Sequence, residues 1–266
     1  MEKCAELMIN EPETMRGHWR ELMPDCAELH IELGCGKGRF TAGTAAAAPD
    51  VELIAIEKVP DAMIIAMERV KNQELKNVRF ISADVAGLRE MFAPEDGVRR
   101  IYINFCDPWP KSRDAKLRLT APNFLRMYAD VLGVGGEIHF KTDNTPLFSW
   151  SLEQFENEGW ALSEKTNDLH ANGPVGVMTD YEAKFHAQGF PINRVVAVKT
   201  EATKGMAAGP APRMYKAALT DAQHGVIASL DEIDAVGHRL VHGGEKFASS
   251  VIINNDVIRE VEACND

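Results

Sequence analysis

The sequence predicts an α/β protein built from βαβ units around an open sheet. Short apolar runs bounded by glycine, proline or aspartate alternate with longer mixed segments, which is typical of βαβ units. A glycine-rich turn follows the first run, and carboxylates end the next ones. The chain has 266 residues, 45% of them hydrophobic, which is enough for one large domain or two unequal ones.

The first half of the sheet is predicted from three apolar runs. Residues 30–33 form the first strand, and glycines then lead into a helix at 37–48. A second strand at 51–57 is followed by a helix at 60–72. The third strand is predicted at 78–82.

The second half begins with a strand at 101–106, which runs into the loop Asp107-Pro-Trp-Pro. The two prolines stiffen the chain where it leaves the sheet. The remaining elements are predicted as a helix at 121–132, a strand at 137–142 entered through Gly135 and Gly136, a helix at 146–158, and closing strands at 161–169 and 195–199.

Composition changes after Lys199. Glycine and proline punctuate residues 205–212, so we predict a linker over 200–213. Beyond it the pattern indicates a small, incomplete α/β segment, too short for a comfortable core of its own. Its predicted elements are helices at 214–219 and 222–229, strands at 235–242 and 249–253, and a final helix ending at Cys264.

Charge, cysteine content and hydropathy restrict the function classes. The net charge of -11 argues at first against a nucleic-acid partner, but phosphate binding needs only a local cluster of cations. Such a cluster follows the proline-rich loop, with Asp114 as its one anion: Lys111, Arg113, Lys116 and Arg118. Five scattered cysteines lack zinc spacing and predict reduced thiols and no metal site. No long apolar run or signal-peptide pattern occurs, so we expect a soluble, cytoplasmic protein without a membrane partner.

The glycine turn predicts a nucleoside site. Gly34, Gly36 and Gly38 lie between a strand and a helix, where missing side chains let the backbone approach a ligand. Glu57 ends the second strand, where a carboxylate can bind both ribose hydroxyls, and Asp84 follows the third strand, placed to meet an adenine edge. Simple turn and cap roles are the alternative for each residue taken alone.

Two other nucleotide sites compete with this interpretation. A dinucleotide site is weakened because Arg39 stands where a third glycine is expected. A Walker phosphate loop is excluded because the chain has no Gly-Lys-Ser/Thr sequence.

Residues 10–199 resemble the bacterial tRNA (guanine-N7)-methyltransferase family, which has an S-adenosylmethionine-dependent class I methyltransferase fold: a Rossmann-like open sheet of seven strands, the last antiparallel. Six motifs carry the resemblance in order: Glu32-Leu-Gly-Cys-Gly-Lys-Gly38, Ile56-Glu-Lys58, Ala83-Asp-Val85, Asn104-Phe-Cys-Asp-Pro-Trp-Pro-Lys111, Lys141-Thr-Asp143 and Thr179-Asp-Tyr-Glu182. The resemblance implies methyl transfer to N7 of a guanosine in the tRNA variable loop. We expect a monomer or a homodimer.

The resemblance also divides the site residues. It assigns Glu32, Glu57, Asp84 and Asp107 to the S-adenosylmethionine side. It assigns to the substrate side Lys111, Asp143, Thr179, Asp180, Tyr181 and Glu182. Tyr181 is a candidate to stack on or bond a base, with an exposed turn as the alternative.

The chemistry agrees with this division. Guanine N7 carries an in-plane lone pair and no proton, so its methylation needs alignment and charge stabilisation rather than a general base. Asp107 is therefore predicted to position the ring or stabilise its developing positive charge. Lys111, Arg113, Lys116 and Arg118 are predicted to hold phosphates, with a solvated charged face as the alternative.

The basic loop departs from the family pattern. The family reads Arg-His followed by Lys-Arg-Arg, whereas this chain has Asp114 and Leu117 at two of those positions. Fewer phosphate contacts should weaken RNA binding and flatten its salt dependence. The cofactor motifs are unaffected.

Residues 214–266 resemble an internal piece of the N-terminal domain of acetate kinase, most clearly in Asp234-Ala-Val-Gly-His-Arg-Leu-Val-His-Gly-Gly-Glu245. The resemblance places Arg239 at an acetyl-phosphate site, but the kinase's phosphate loop and nucleotide-binding half have no counterpart here. We therefore expect no kinase activity and a non-functional fragment that arose by fusion, truncation or misassembly. An extra module packed on the methyltransferase is the alternative. His238, His242 and Glu245 need no metal ion to explain them.

Three function classes remain open. An RNA N7-methyltransferase should depend on Asp107 and on the basic cluster. A class I methyltransferase acting on a small molecule or a protein shares Glu32, Glu57 and Asp84 but should not depend on the cluster. A catalytically silent fusion product binds the cofactor without turnover.

Overall fold

The computed structural model describes residues 2–206. The elements predicted between residues 214 and 264, together with His238, Arg239, His242 and Glu245, lie outside the described part of the chain.

Seven strands form one sheet in the order β3-β2-β1-β4-β5-β7-β6. The strands are β1 (Glu28–Leu33), β2 (Val51–Ile56), β3 (Val78–Ile81), β4 (Val98–Asn104), β5 (Leu132–Thr142), β6 (Ala161–Thr166) and β7 (Asn193–Val198). The first five pair in parallel, while β7 runs antiparallel to both β5 and β6. The predicted fold class, including the antiparallel last strand, is confirmed.

Helices cover both faces of this sheet. They are α1 (Trp19–Leu22), α2 (Arg39–Ala47), α3 (Pro60–Asn72), α4 (Leu88–Met91), α5 (Pro122–Val131), α6 (Thr145–Asn157) and α7 (Asp180–Ala187). The predicted helix at 60–72 is confirmed at both ends. The short helices α1, α4 and α7 were not predicted, because four to eight residues carry too little periodicity to stand out.

Several predicted boundaries were wrong. β4 begins at Val98 rather than at residue 101, and it ends at Asn104 rather than at 106 because Phe105 turns the chain with φ of 54°. β5 begins at Leu132, so the two glycines lie within the strand rather than before it, and α5 ends at Val131. β6 ends at Thr166 rather than at 169.

Two buried apolar clusters hold the sheet between its helices. Alternate side chains of β2 divide between them: Ile54 and Ile56 join the larger cluster, whereas Leu53 and Ala55 join the smaller one. A strand buried on both faces reads as a continuous apolar run, which is why the central strands were found from the sequence. The helices therefore hold the carboxyl ends of β1 to β5 at one common edge.

Glu52 interrupts this apolar pattern with a buried carboxylate. Its side chain is fully buried, and neither oxygen has a hydrogen-bond partner among the described residues. Burial raises its pKa from 4.5 to about 7, and Arg20 only partly opposes that shift. The folded state thus binds the proton more tightly than the unfolded state, so this group lowers stability as pH rises from 4.5 to about 7.

We expect Glu52→Gln to raise the free energy of unfolding by about 2 kcal/mol at about pH 8, with little change at about pH 4. The neutral amide keeps the shape and removes the buried charge. Urea unfolding at both pH values measures the difference, and Glu68→Gln, at an exposed position, is the control. Equal effects of Glu52→Gln at both pH values would contradict the ionisation argument.

Candidate active site

A cavity of about 530 Å³ lies at the carboxyl ends of the parallel strands. This is the edge where open α/β sheets bind their ligands. Four of the predicted cofactor residues line it: Gly34, Glu57, Asp84 and Asp107. The structure thus brings together residues that are up to 73 positions apart, since Gly34 and Asp107 lie on the same cavity wall.

A hydrogen bond joins the glycine turn to Glu57. One carboxylate oxygen of Glu57 accepts a hydrogen bond from the Gly36 nitrogen at 2.8 Å, and the other accepts from the Val59 nitrogen at 2.9 Å. Gly34 has φ of 75°, and a side chain there would meet no atom within 4 Å, so the cavity wall is open at this point. Gly38, by contrast, is required for packing, because a Cβ would lie 2.5 Å from that of Ala66.

Glu32 and Asp84 occupy different environments. Glu32 is 1% exposed and accepts a hydrogen bond from the Thr41 hydroxyl at 2.6 Å. Burial raises the pKa of Glu32 to about 7. Asp84 is exposed, caps the next turn by accepting from the Ala86 nitrogen at 2.9 Å, and lies 4.0 Å from the Lys58 ammonium. Glu32 thus acts in the protein interior, by joining β1 to α2, whereas Asp84 lines the cavity.

Asp107 lies between two unusual backbone positions. Phe105 and Trp109 have φ of 54° and 42°, a region that costs a non-glycine residue about 1–3 kcal/mol. Arg118 holds the loop in this conformation, since its guanidinium donates to the carbonyl oxygens of Pro108 and Trp109 at 3.0 and 2.9 Å. The same guanidinium lies 4.4 Å from the centre of the Trp150 ring.

We expect Arg118→Ala to lower kcat for methyl transfer about 10- to 100-fold, because it releases the loop that carries Asp107. Arg118→Lys should restore little, since an ammonium lacks the planar fork that reaches both carbonyls. Arg79→Ala removes similar guanidinium-to-carbonyl bonds on β3 and serves as the matched control in steady-state assays. Full activity of Arg118→Ala would contradict this role.

Lys141 and Glu182 form a buried ion pair between β5 and α7. The Lys141 ammonium lies 2.6 Å from a carboxylate oxygen of Glu182, whose side chain is fully buried. Burial lowers the pKa of Lys141, and the Glu182 carboxylate partly opposes that shift. His170 and the Thr179 nitrogen also bond to Glu182, at 3.0 and 3.2 Å. This network ties β5, α7 and the preceding loop together.

The remaining predicted substrate residues fall into three groups. Thr179 caps α7, and Asp180 forms an ion pair of 3.0 Å with Arg69, so both contribute to the placement of that helix. Tyr181 is exposed, and its hydroxyl donates to Asp143 at 3.3 Å. The sequence analysis kept an exposed turn as the alternative for Tyr181. In the structure this residue lies in the first turn of α7. Three cations of the basic cluster are exposed to solvent: Lys111, just before a 3-10 helix (Ser112–Leu117), and Arg113 and Lys116 within it.

Asn104 was missed as a site residue. It is 8% exposed, it lines the cavity beside Asp107, and its side chain lies next to the buried Glu32 carboxyl, whose pKa it helps to lower against the effect of burial. The sequence did contain an indication of this role, because Asn104 ends the strand that leads into the loop Asp107-Pro-Trp-Pro. His170 carried no such signal, since its contact with Glu182 depends on how the loop before α7 folds back.

Within residues 2–206, no helix is long and apolar enough to cross a membrane, and no cluster of His, Cys, Asp and Glu could hold a metal ion. The four cysteines in this part of the chain are free thiols: Cys4, Cys26, Cys35 and Cys106.

Comparison with known proteins supports the methyltransferase resemblance that the sequence motifs indicate. A family model described as a putative methyltransferase matches residues 26–195. The tRNA (guanine-N(7)-)-methyltransferase of Bacillus velezensis is 42% identical over 191 residues, which cover 71% of this chain and 88% of that protein. The protein of the same name from Streptococcus suis is 43% identical, covering 72% of this chain and 91% of its own length.

Two further matches concern the fold and the tail. The crystal structure of the 16S rRNA methyltransferase KamB superimposes with a TM-score of 0.54 at 16% identity, covering 68% of this chain and 92% of that one, and supports the fold alone. A model of the acetokinase family matches residues 165–266, which supports the predicted fusion. The identities with the two bacterial enzymes, together with the methyltransferase model, show that this chain belongs to the tRNA (guanine-N(7)-)-methyltransferase family.

Proposed function

We propose that this chain transfers a methyl group from S-adenosylmethionine to N7 of a guanosine in tRNA. The observation that carries the proposal is the cavity at the sheet edge, where Glu57, Asp84 and Asp107 meet in a chain 42% identical to a tRNA (guanine-N(7)-)-methyltransferase. The target guanosine in this proposal is one in the variable loop, as the family resemblance implies.

The cavity fits S-adenosylmethionine. Its volume of about 530 Å³ lies within the usual range for small-molecule sites. The open wall at Gly34 accepts a close ligand, Glu57 presents carboxylate oxygens to ribose hydroxyls, and Asp84 is placed for the adenine edge. The buried amide of Asn104, which also lines the cavity, carries both a donor and an acceptor group. When bound, this cofactor supplies a methyl group on a positively charged sulfur.

The residues around the target act by alignment and charge. Guanine N7 has a free lone pair, so no side chain needs to remove a proton. Asp107 holds the guanine through hydrogen bonds or stabilises the positive charge that develops on its ring. The loop is braced by Arg118, so Asp107 is positioned before the substrate arrives.

The tRNA is held on the far side of Asp107. Lys111, Arg113 and Lys116 are exposed cations that can contact phosphates, which positions the RNA without reading its sequence. Tyr181 packs against Phe105, which lines the cavity, and it bonds to Asp143, so both residues can contact the target nucleotide. The buried Glu182 contributes by holding α7, together with Thr179 and Asp180.

The proposal also divides the chain into parts. Residues 1–199 form the methyltransferase domain, residues 200–213 form a linker, and residues 214–266 form an acetate-kinase-like fragment without kinase activity. The protein acts in the cytoplasm as a monomer or homodimer.

Residues just after Lys199 contact the methyltransferase domain. Thr203 and Lys204 donate hydrogen bonds to the carbonyl oxygens of Gly159 and Glu158, both at 2.9 Å. A shortened chain for activity tests should therefore end at residue 206.

The test is methyl transfer from labelled S-adenosylmethionine to unmodified tRNA transcripts, by the full chain and by a chain ending at residue 206. We expect 7-methylguanosine in the nucleoside digest with both proteins. Transfer by the shortened chain alone would mean that the tail obstructs the enzyme. Cofactor binding without transfer to any tRNA would contradict the proposal and favour a small molecule or a protein as substrate.

A further inference from the structure

A row of four aromatic rings begins at Phe105, which lines the cavity. The ring centres of Phe105 and Tyr181 lie 5.2 Å apart. Tyr181 stacks on Phe185 at 4.2 Å with ring planes 20° apart, and Phe185 lies 5.4 Å from Phe190. Tyr181 is 44% exposed and Phe190 is 51% exposed, so this aromatic row presents ring surface to solvent.

The backbone holds these rings in place. Tyr181 and Phe185 lie four residues apart on α7 and therefore share a face. Gly189, with φ of 79°, turns the chain after the helix, and the Phe190 nitrogen donates to the Phe185 carbonyl at 3.1 Å. Such a helix end often buries an apolar side chain against the last turn. Phe190 is only half covered, so this packing leaves half of its surface free.

The surroundings of the row favour RNA over an apolar partner. Lys184 is exposed on α7, three residues after Tyr181, and can meet a phosphate. At the inner end, Phe105 lies two residues before Asp107 and Tyr181 donates to Asp143 at 3.3 Å. Flat rings beside a cation, beginning at the target site, match an unstacked nucleobase and its phosphate.

We propose that the aromatic row is a stacking platform for an unpaired nucleobase of the tRNA next to the target guanosine. Phe190 contacts this base directly, and Phe185, whose ring is tilted by 52° to that of Phe190, packs against it with Tyr181 stacked behind. Because every nucleobase has a flat face, the platform accepts any base at this position. The inference rests on the tRNA methyl transfer proposed above and extends it to a second nucleotide.

The experiment compares Phe190→Ala, Phe190→Leu and Phe190→Tyr in the full chain by binding of tRNA transcripts. Loss of stacking should weaken tRNA binding about 5- to 100-fold in the alanine and leucine variants, while the tyrosine variant stays within about twofold of the parent. S-adenosylmethionine binding should not change. Val134→Ala is the matched control, since Val134 is 57% exposed and lies on β5.

A spectroscopic readout separates stacking from mere packing. Phe190→Trp should show indole fluorescence that is quenched when tRNA is added, beyond the change seen in the parent protein. Unchanged tRNA affinity in Phe190→Ala, or leucine equal to tyrosine, would overturn the stacking platform. Because affinity is measured without turnover, a parent protein that binds tRNA but does not methylate it would contradict only the proposed function; one that does not bind tRNA would contradict both.

Discussion

Replacing Asp107 with alanine should lower kcat for tRNA methylation about 10²- to 10³-fold, the usual loss when a group that stabilises transition-state charge is removed. Asp107 is exposed at the cavity edge, on a loop that Arg118 fixes. Its removal should leave the free energy of unfolding within about 0.5 kcal/mol of the parent value, as for other surface positions. Single-turnover rates and urea unfolding measure the two effects.

The control for this prediction is Asp114→Ala, in the same loop. Asp114 lies 3.7 Å from the exposed Arg113 guanidinium and does not line the cavity. Its loss should leave the methylation rate within about twofold, as for a weak surface ion pair. If Asp107→Ala kept a comparable rate, Asp107 would not be the residue that stabilises the reacting guanine.

Lys141→Met should lower the free energy of unfolding by about 3–5 kcal/mol, because it leaves the Glu182 carboxylate buried without its cation. Glu182 is fully buried and Lys141 is 7% exposed, so solvent cannot replace the lost partner. Methionine keeps an unbranched chain beside the Phe40 ring, which lies 5.0 Å from the Lys141 nitrogen, so the change removes charge more than packing. Urea unfolding measures the loss.

The double variant Lys141→Met with Glu182→Gln isolates the charge. Neutralising the carboxylate should recover part of the lost stability, since a buried pair is less costly to replace whole than to break. Lys184→Met, at an exposed position on α7, is the control for loss of a lysine. A single variant Lys141→Met that loses less than about 1 kcal/mol would show that the ion pair does not hold α7 in place.

The sequence was sufficient for the sheet because each central strand is buried on both faces and reads as an apolar run. Helix α3 was found in full, since Pro60 starts it and its length allows a clear pattern. The boundaries of β4 and β5 were missed for a local reason. Phe105 ends β4 in a left-handed conformation, which an apolar residue type does not predict. Gly135 and Gly136 lie inside β5, although glycines usually predict the end of a strand.

The sequence also identified the cavity residues Gly34, Glu57, Asp84 and Asp107, because parallel strands bring their carboxyl ends to one edge. It did not find the contacts that depend on tertiary folding. Arg118 was grouped with the phosphate-binding cations, yet its guanidinium bonds to the loop carbonyls of Pro108 and Trp109.

The central claim is that the methyl group goes to guanine N7. The most direct measurement is methyl transfer to two tRNA transcripts of one sequence, one made with guanosine and one with 7-deazaguanosine, in which a carbon replaces N7. We predict transfer to the first and none to the second, with both transcripts bound to similar extents. Equal methylation of the two transcripts would contradict the account, because the methyl group would then have reached another atom.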